Sequence, residues 1–293
     1  MPAEGKRPRR SALFVPGSNA RALAKARTLP ADVLIFDLED SVTPAAKLSA
    51  RDAIAAALGE GGWGRRELAV RANASATRWG GDDLAAAARW PVDAVLLPKV
   101  ENADTVRAAE RILAGAGAPP QLAIWCMIET PLGVLHAEAI ASASPRVAAI
   151  AMGLEDLAKD LRAGAAPDRQ PLMTALALGL LAARAYGLAA LDSVHADIAD
   201  DDGFERACRQ GRMLGFDGKC LIHPKTIETA NRIFAPAPDE IARARRLVAA
   251  HEAAEAAGNG VTLVDGKLVE RLHVDEARRL MALAAAIAEL ERG

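Results

Sequence analysis

At 293 residues, 51% of them hydrophobic, the chain is long enough for one large core, and α/β barrels of a single domain commonly reach this size. A formal charge of −2 leaves no net basic field for nucleic acid or an anionic membrane, so small polar partners are expected and an anionic ligand would need a local cluster of Lys or Arg. Three cysteines without CxxC spacing argue against a disulfide framework or a structural zinc site and suit a reducing cytoplasm.

The chain opens on MPAEGKRPRR, which reads as a solvated basic arm, because no long apolar segment with a cleavage-like end follows it. Short β-rich runs then alternate with Ala-rich helical stretches, the order that forces a parallel sheet with helices outside. SALFVPG is the first strand. Ser18 or Asn19 can cap the helix behind it, where Arg21 and Lys25, four apart, share a face. VLIFDLED ends on Asp37, Glu39 and Asp40; ELAVRAN on Arg71 and Asn73; AVLLPKV on Lys99, with Glu101 just beyond. LAIWCMIET delivers Glu129, VAAIAMGLED Glu155 and Asp156, ALDSVHAD Asp192 and His195, and KCLIHP His223. Between the sixth and seventh strands the longest apolar region, TALALGLLAARAYGLAAL, is broken by Arg184 and reads as a buried amphipathic helix, not a membrane span. Eight strands close a TIM (β/α)8 barrel; an open doubly wound sheet is the alternative, but no G-x-G-x-x-G follows the first strand. Residues 236–257, opened by PAPDE, predict another helix; GNGVTLVDGKLVE predicts a hairpin about its DG turn; a last helix covers 273–291. The expected division is a catalytic barrel over 1–235 and a helix–hairpin–helix extension over 236–293 that covers the site or reaches a neighbouring subunit.

Polar residues thus gather at the C-terminal ends of the strands, where barrel enzymes build their sites. Glu129 and Asp156, placed at the ends of strands five and six, would be neighbours about 4.8 Å apart. Two such carboxylates repel unless a cation lies between them, and a hard divalent ion such as Mg2+ or Mn2+ resolves the conflict. Structural salt bridges to Arg or Lys across the rim are the competing reading. Arg71 shifts the balance, because a metal facing a guanidinium makes a site for an α-oxo or α-hydroxy carboxylate. Arg21 and Lys25 form either a modest phosphate site or an ordinary solvated helix face. His195 and His223 lack zinc-site spacing and read as rim or packing residues. The cysteines read as buried small hydrophobes, and Trp79, Trp90 and Trp125 as packing.

Taken in order, LFVPGSNARALAKA, FDLEDSVTPAAK, VRANA, LLPKVE, IETPLGV, GLEDL and GKCLIHPKTI resemble the citrate lyase beta subunit-like branch of the HpcH/HpaI aldolase family, which includes malyl-CoA and citramalyl-CoA lyases. The resemblance runs from about residue 10 to beyond 270. It implies a TIM barrel, Mg2+ as cofactor, and cleavage or formation of a carbon–carbon bond in a 3-hydroxyacyl-CoA thioester, giving an acyl-CoA and an α-keto acid. It also implies a homo-oligomer, trimer or hexamer. By the same resemblance Glu129 and Asp156 are the metal ligands, and Arg71 contacts the substrate carboxylate or carbonyl. Phe14, Arg21 and Lys25 fall where related lyases meet coenzyme A. Glu39 and Asp40 are rim acids that hold Arg71 or metal-bound water. Where complete relatives carry a GKMID-like stretch with a catalytic Asp, this chain has GKLVE, so Glu270 stands in that Asp's place as the acid/base group. A pyruvate-type aldolase acting on free hydroxy-keto acids, and a noncatalytic subunit of a larger complex, are the alternatives.

Overall fold

A computed structural model of the chain describes residues 7–258 and 261–292. They fall into two compact units, one spanning Arg9–Phe234, the other holding the chain from Ala235 onward together with Arg7 and Pro8.

The first unit is a closed barrel of eight parallel strands: β1 (Ser11–Pro16), β2 (Val33–Asp37), β3 (Glu67–Arg71), β4 (Ala94–Leu97), β5 (Ala123–Ile128), β6 (Val147–Met152), β7 (Ala189–Asp192) and β8 (Gly218–Leu221). Each pairs with the next, and β8 returns to β1. All eight strands expected from the sequence are present. The connecting helices are α1 (Ala20–Ala26), α2 (Lys47–Glu60), α3 (Gly80–Ala87), α4 (Ala103–Gly115), α5 (Pro131–Leu135), α6 (Ala137–Ala141), α7 (Leu154–Leu161), α8 (Met173–Ala185), α9 (Asp201–Leu214) and α10 (Ile227–Phe234). The strands are apolar on both faces because one face meets the helices and the other fills the barrel. Phe36 and Val70 point outward into the larger core; Ile35 and Ala69 point inward. The interior joins Ala12, Ala69, Ala94, Ala149 and Ala151 to Trp125, small residues making room for one fully buried indole.

The arm expected to be solvated departs from that expectation at its end. Arg10 is 3% exposed and pairs with Asp32 through Nε and Nη2 at 2.9 Å each. Arg9 bonds Glu67 at 2.6 and 2.7 Å and stacks 5.2 Å from the Trp125 ring. Arg9 precedes β1 and Glu67 opens β3, so together they plug the N-terminal mouth of the barrel. Residues 1–6 of the arm lie outside the described residues.

In the second unit, α11 (Pro238–Ala256) packs against α12 (Arg271–Leu290) and against a hairpin of β9 (Thr262–Val264) and β10 (Lys267–Val269). Its turn, Asp265 and Gly266, has φ of 50° and 72°, the pair of positive values that a two-residue DG turn requires. Asn259 and Gly260, at the head of the expected hairpin, lie outside the described residues. No helix among the described residues is long and apolar enough to cross a membrane.

Candidate active site

Strand register assembles the rim. Pro16 lies opposite Asp37 and Asp37 opposite Arg71, and alternation points Asp37 and Arg71 inward. Arg71 Nε and Nη2 fork onto the two oxygens of Asp37 at 2.7 Å each. Asp37 also accepts the backbone N–H of Glu39 at 2.9 Å and of Ser41 at 3.1 Å, folding the chain after β2 into a tight turn. Lys47, buried, donates from Nζ to the carbonyls of Leu38 and Glu39 at 2.8 and 2.7 Å and fixes that turn from beneath. Burial alone would raise the Asp37 carboxyl, but the Arg71 guanidinium outweighs it and holds the group below the usual carboxylate range. Phe14, inward on β1, lies with its ring 4.6 Å from the Arg71 guanidinium.

The remaining side of Arg71 faces Glu39. Nη1 is 3.0 Å from Glu39 Oε2 and 3.6 Å from Asp40 Oδ2. The Glu39 contact lacks hydrogen-bond geometry, so it is a Coulombic pair and not a directed bond. Lys99 takes the other oxygen: Nζ donates to Glu39 Oε1 at 2.6 Å and stands 3.7 Å from Asp40 and 3.6 Å from Asp156. Even between two cations Glu39 is raised above the ordinary value, because burial dominates.

Glu129, one residue past β5, is 3% exposed. Oε1 accepts the backbone N–H of Lys99 at 2.7 Å. Burial pushes its carboxyl up to about 7, against the opposing pull of Lys99. Two local features fix it there. Thr130 caps α5 by accepting Gly133 N–H at 3.1 Å, and Gly133 itself approaches so closely that a Cβ would sit 2.5 Å from Val100 O. Gly153, past β6, lies against the other carboxylate oxygen, where a Cβ would come within 2.6 Å of Oε2. The TPLG and GLED motifs thus clear space around one carboxylate.

Asp156 departs from the sequence reading. It does not end a strand; it lies in the first turn of α7, its side chain 34% exposed. It still faces the cavity of about 400 Å3 that opens over the rim, with Phe14, Asp37, Asp40, Arg71, Glu129 and Asp156 in its wall. Arg21 and Lys25 are exposed on α1, capped by Asn19 and not Ser18, and do not line this cavity. Glu270 is exposed in the second unit, as the N-cap of α12. Asp192, read as a rim residue, faces the helix layer, where it is fully buried between Lys219 at 2.9 Å and Arg169 at 2.7 Å. His195 packs edge-on to Phe204, and His223 accepts the Lys225 N–H in a turn. The cysteines are buried, their thiols pushed up to about 12 by desolvation.

The donor set suits a hard divalent ion. Five carboxylates, Asp37, Glu39, Asp40, Glu129 and Asp156, crowd around Arg71 and Lys99, with Lys47 beneath them spent on backbone carbonyls. A cation near Glu129 would relieve the burial that raises it. Among the described residues no three acidic, His or Cys side chains converge into a full ligand set. An ion here would therefore keep positions for water and substrate oxygens, as Mg2+ does.

Comparison with known proteins places the chain among relatives of one family. The profile of the HpcH/HpaI aldolase/citrate lyase family matches residues 10–224. A (3S)-malyl-CoA thioesterase of Cereibacter sphaeroides is 48% identical over 281 residues, covering 96% of each chain. The citrate lyase subunit beta of Escherichia coli is 40% identical, over 95% of this chain and 94% of its own. Among solved structures, CitE from Mycobacterium tuberculosis in complex with magnesium, acetoacetate and coenzyme A superposes with a TM-score of 0.75 at 30% identity, covering 95% of this chain and 98% of that one.

Proposed function

The chain belongs to the HpcH/HpaI aldolase/citrate lyase family, and from that premise we propose that it is a Mg2+-dependent lyase acting on a short 3-hydroxyacyl-CoA thioester such as malyl-, citramalyl- or citryl-CoA. The observation that carries the reading is the buried Arg71–Asp37 fork, set in one cavity wall with Glu129 and Asp156. Magnesium, bound in the CitE structures from Mycobacterium tuberculosis, would be held by Glu129 and Asp156 and would supply Lewis-acid polarisation of the substrate oxygens.

This chain's own residues then do the following. Arg71, kept cationic by Asp37, binds the negative oxygens of the keto-acid half and stabilises charge that grows as the bond breaks. In the cleavage direction the substrate hydroxyl loses its proton, and the bond between the carbinol carbon and the thioester α-carbon breaks. Its electron pair passes to that α-carbon as an enolate, which takes up one proton, leaving an α-keto acid and an acyl-CoA. Glu39 and Asp40 position Arg71 through their ion pairs. Glu270 is the group proposed to move the α-carbon proton, and Arg21 and Lys25 to meet the phosphates of coenzyme A. The active assembly is proposed to be a homo-oligomer in which the C-terminal unit covers a barrel rim.

Hydrolysis of the thioester is the second reading, favoured by the 48% identity to a (3S)-malyl-CoA thioesterase. One assay separates the two. The protein with Mg2+ is given malyl-, citramalyl- and citryl-CoA, and both keto acid and free thiol are measured. Keto acid without thiol supports the lyase; thiol with a hydroxy acid supports the hydrolase; neither product from any of the three rejects both. Glu270→Gln is expected to lower kcat by about 10²-fold or more with little change in KM.

A further inference from the structure

Lys99 has no role in the chemistry above, yet it is built into the site at some cost. Its φ of 51° is left-handed, a conformation that non-glycine residues seldom adopt. Of the other non-glycine residues with positive φ among the described residues, Arg162 and Arg169 lie beside helical turns and Asp265 in a hairpin turn; Lys99 lies two residues past the end of β4. The unusual backbone has two consequences. It aims the amide N–H at Glu129 Oε1, and it carries the side chain back over the carboxylates, where Nζ reaches Glu39 at 2.6 Å, Asp156 at 3.6 Å and Asp40 at 3.7 Å. One residue thus touches both carboxylates assigned to the metal and two of those assigned to Arg71.

Resting on the metal reading, we propose that Lys99 is a positioning residue of the metal site. Its left-handed amide orients Glu129 toward the ion, and its ammonium holds Glu39 and Asp40 out of the ion's shell while competing with the ion for Asp156. Without that ammonium the rim would bind a divalent cation more tightly but through the wrong carboxylates. Glu39 would be drawn from Arg71 toward the metal, and catalysis would fall as affinity rose. A residue that merely braced the loop would lower both together.

The test is calorimetric titration of the metal-stripped full-length protein with Mn2+ alone, with turnover measured separately. Lys99→Met is expected to lower the Mn2+ Kd about three- to tenfold, since one nearby positive charge is gone, and to lower kcat. Lys99→Gly and Lys99→Ala both lack the ammonium, but only glycine adopts the left-handed backbone without strain. The glycine variant is therefore expected to bind Mn2+ about fivefold more tightly than the alanine variant. Unchanged or weaker Mn2+ binding by both folded Met and Gly variants overturns the proposal. Equal affinities for the Gly and Ala variants overturn its backbone half. Wild-type protein that takes up no Mn2+ overturns the metal reading, and this proposal with it.

Discussion

Arg71 is held by a carboxylate that belongs to the same strand level, and this determines what each substitution should do. The Asp37 fork uses Nε and Nη2, so Lys at position 71 would keep a charge but lose the two parallel bonds and the planar face stacked on Phe14. Arg71→Lys is expected to reduce kcat/KM by about 10²- to 10³-fold while leaving thermal stability near wild type, read by steady-state kinetics beside a melting curve. Asp37→Asn removes the charge instead. It leaves a buried guanidinium with only its Glu39 and Asp40 pairs and no charged fork, and the expected loss is about 3 kcal/mol at neutral pH, measured by urea unfolding. The sign with pH follows from the depressed Asp37 carboxyl: its contribution is complete above the unfolded value near 3.8 and is lost as pH falls through the lower folded value. Wild-type and Asp37→Asn stabilities should therefore draw together as the pH is taken below 3.8; a constant gap would show that the fork is not what stabilises this turn.

At the level of the element, each βα turn does two jobs, ending a strand and presenting one side chain, and glycine makes the two compatible. Gly153 is the sharpest case, because its missing side chain is the space occupied by Glu129. Gly153→Ala is expected to fold, to displace the carboxylate, and to weaken Mn2+ binding and kcat each by about tenfold or more. Calorimetry on the purified variant would check this, and an unchanged Mn2+ affinity would mean that Glu129 is not a ligand. The barrel, the eight strands and the polar rim were legible in the sequence because short apolar β-rich runs and the polar residues that end them are local signals. Asp156 was misplaced because VAAIAMGLED reads as one β run, whereas Gly153 ends the strand and the acids behind it open α7. Asp192 was misread for a related reason: strand-end position says nothing of facing, and here Leu191 fills the barrel while Asp192 meets Lys219. The parts played by Lys99 and Lys47 were hidden altogether, since they depend on a left-handed backbone and on carbonyls brought close only by the fold.

For the whole molecule the rim is an electrostatic liability that the fold tolerates. The packed barrel below supplies the stability, with Trp125 filling its interior and the Arg9–Glu67 plug closing its lower mouth, so the upper mouth can concentrate five carboxylates around Arg71 and Lys99. A divalent cation that binds this cluster only in the folded state must then stabilise the folded protein by mass action. At a Mg2+ concentration about 100 times its Kd the gain is about 2.7 kcal/mol, which for a unit of this size raises Tm by about 5–10 °C. The expected result in a calorimetric scan is a Tm that climbs with added Mg2+ and falls back with a chelator. In Glu129→Gln the climb should vanish, although the variant itself should melt no lower than wild type without metal, because the buried carboxylate is raised toward neutrality by burial and an amide removes that strain. A Tm indifferent to Mg2+ in the wild-type protein would show that the excess of negative charge at the rim serves some partner other than a divalent cation.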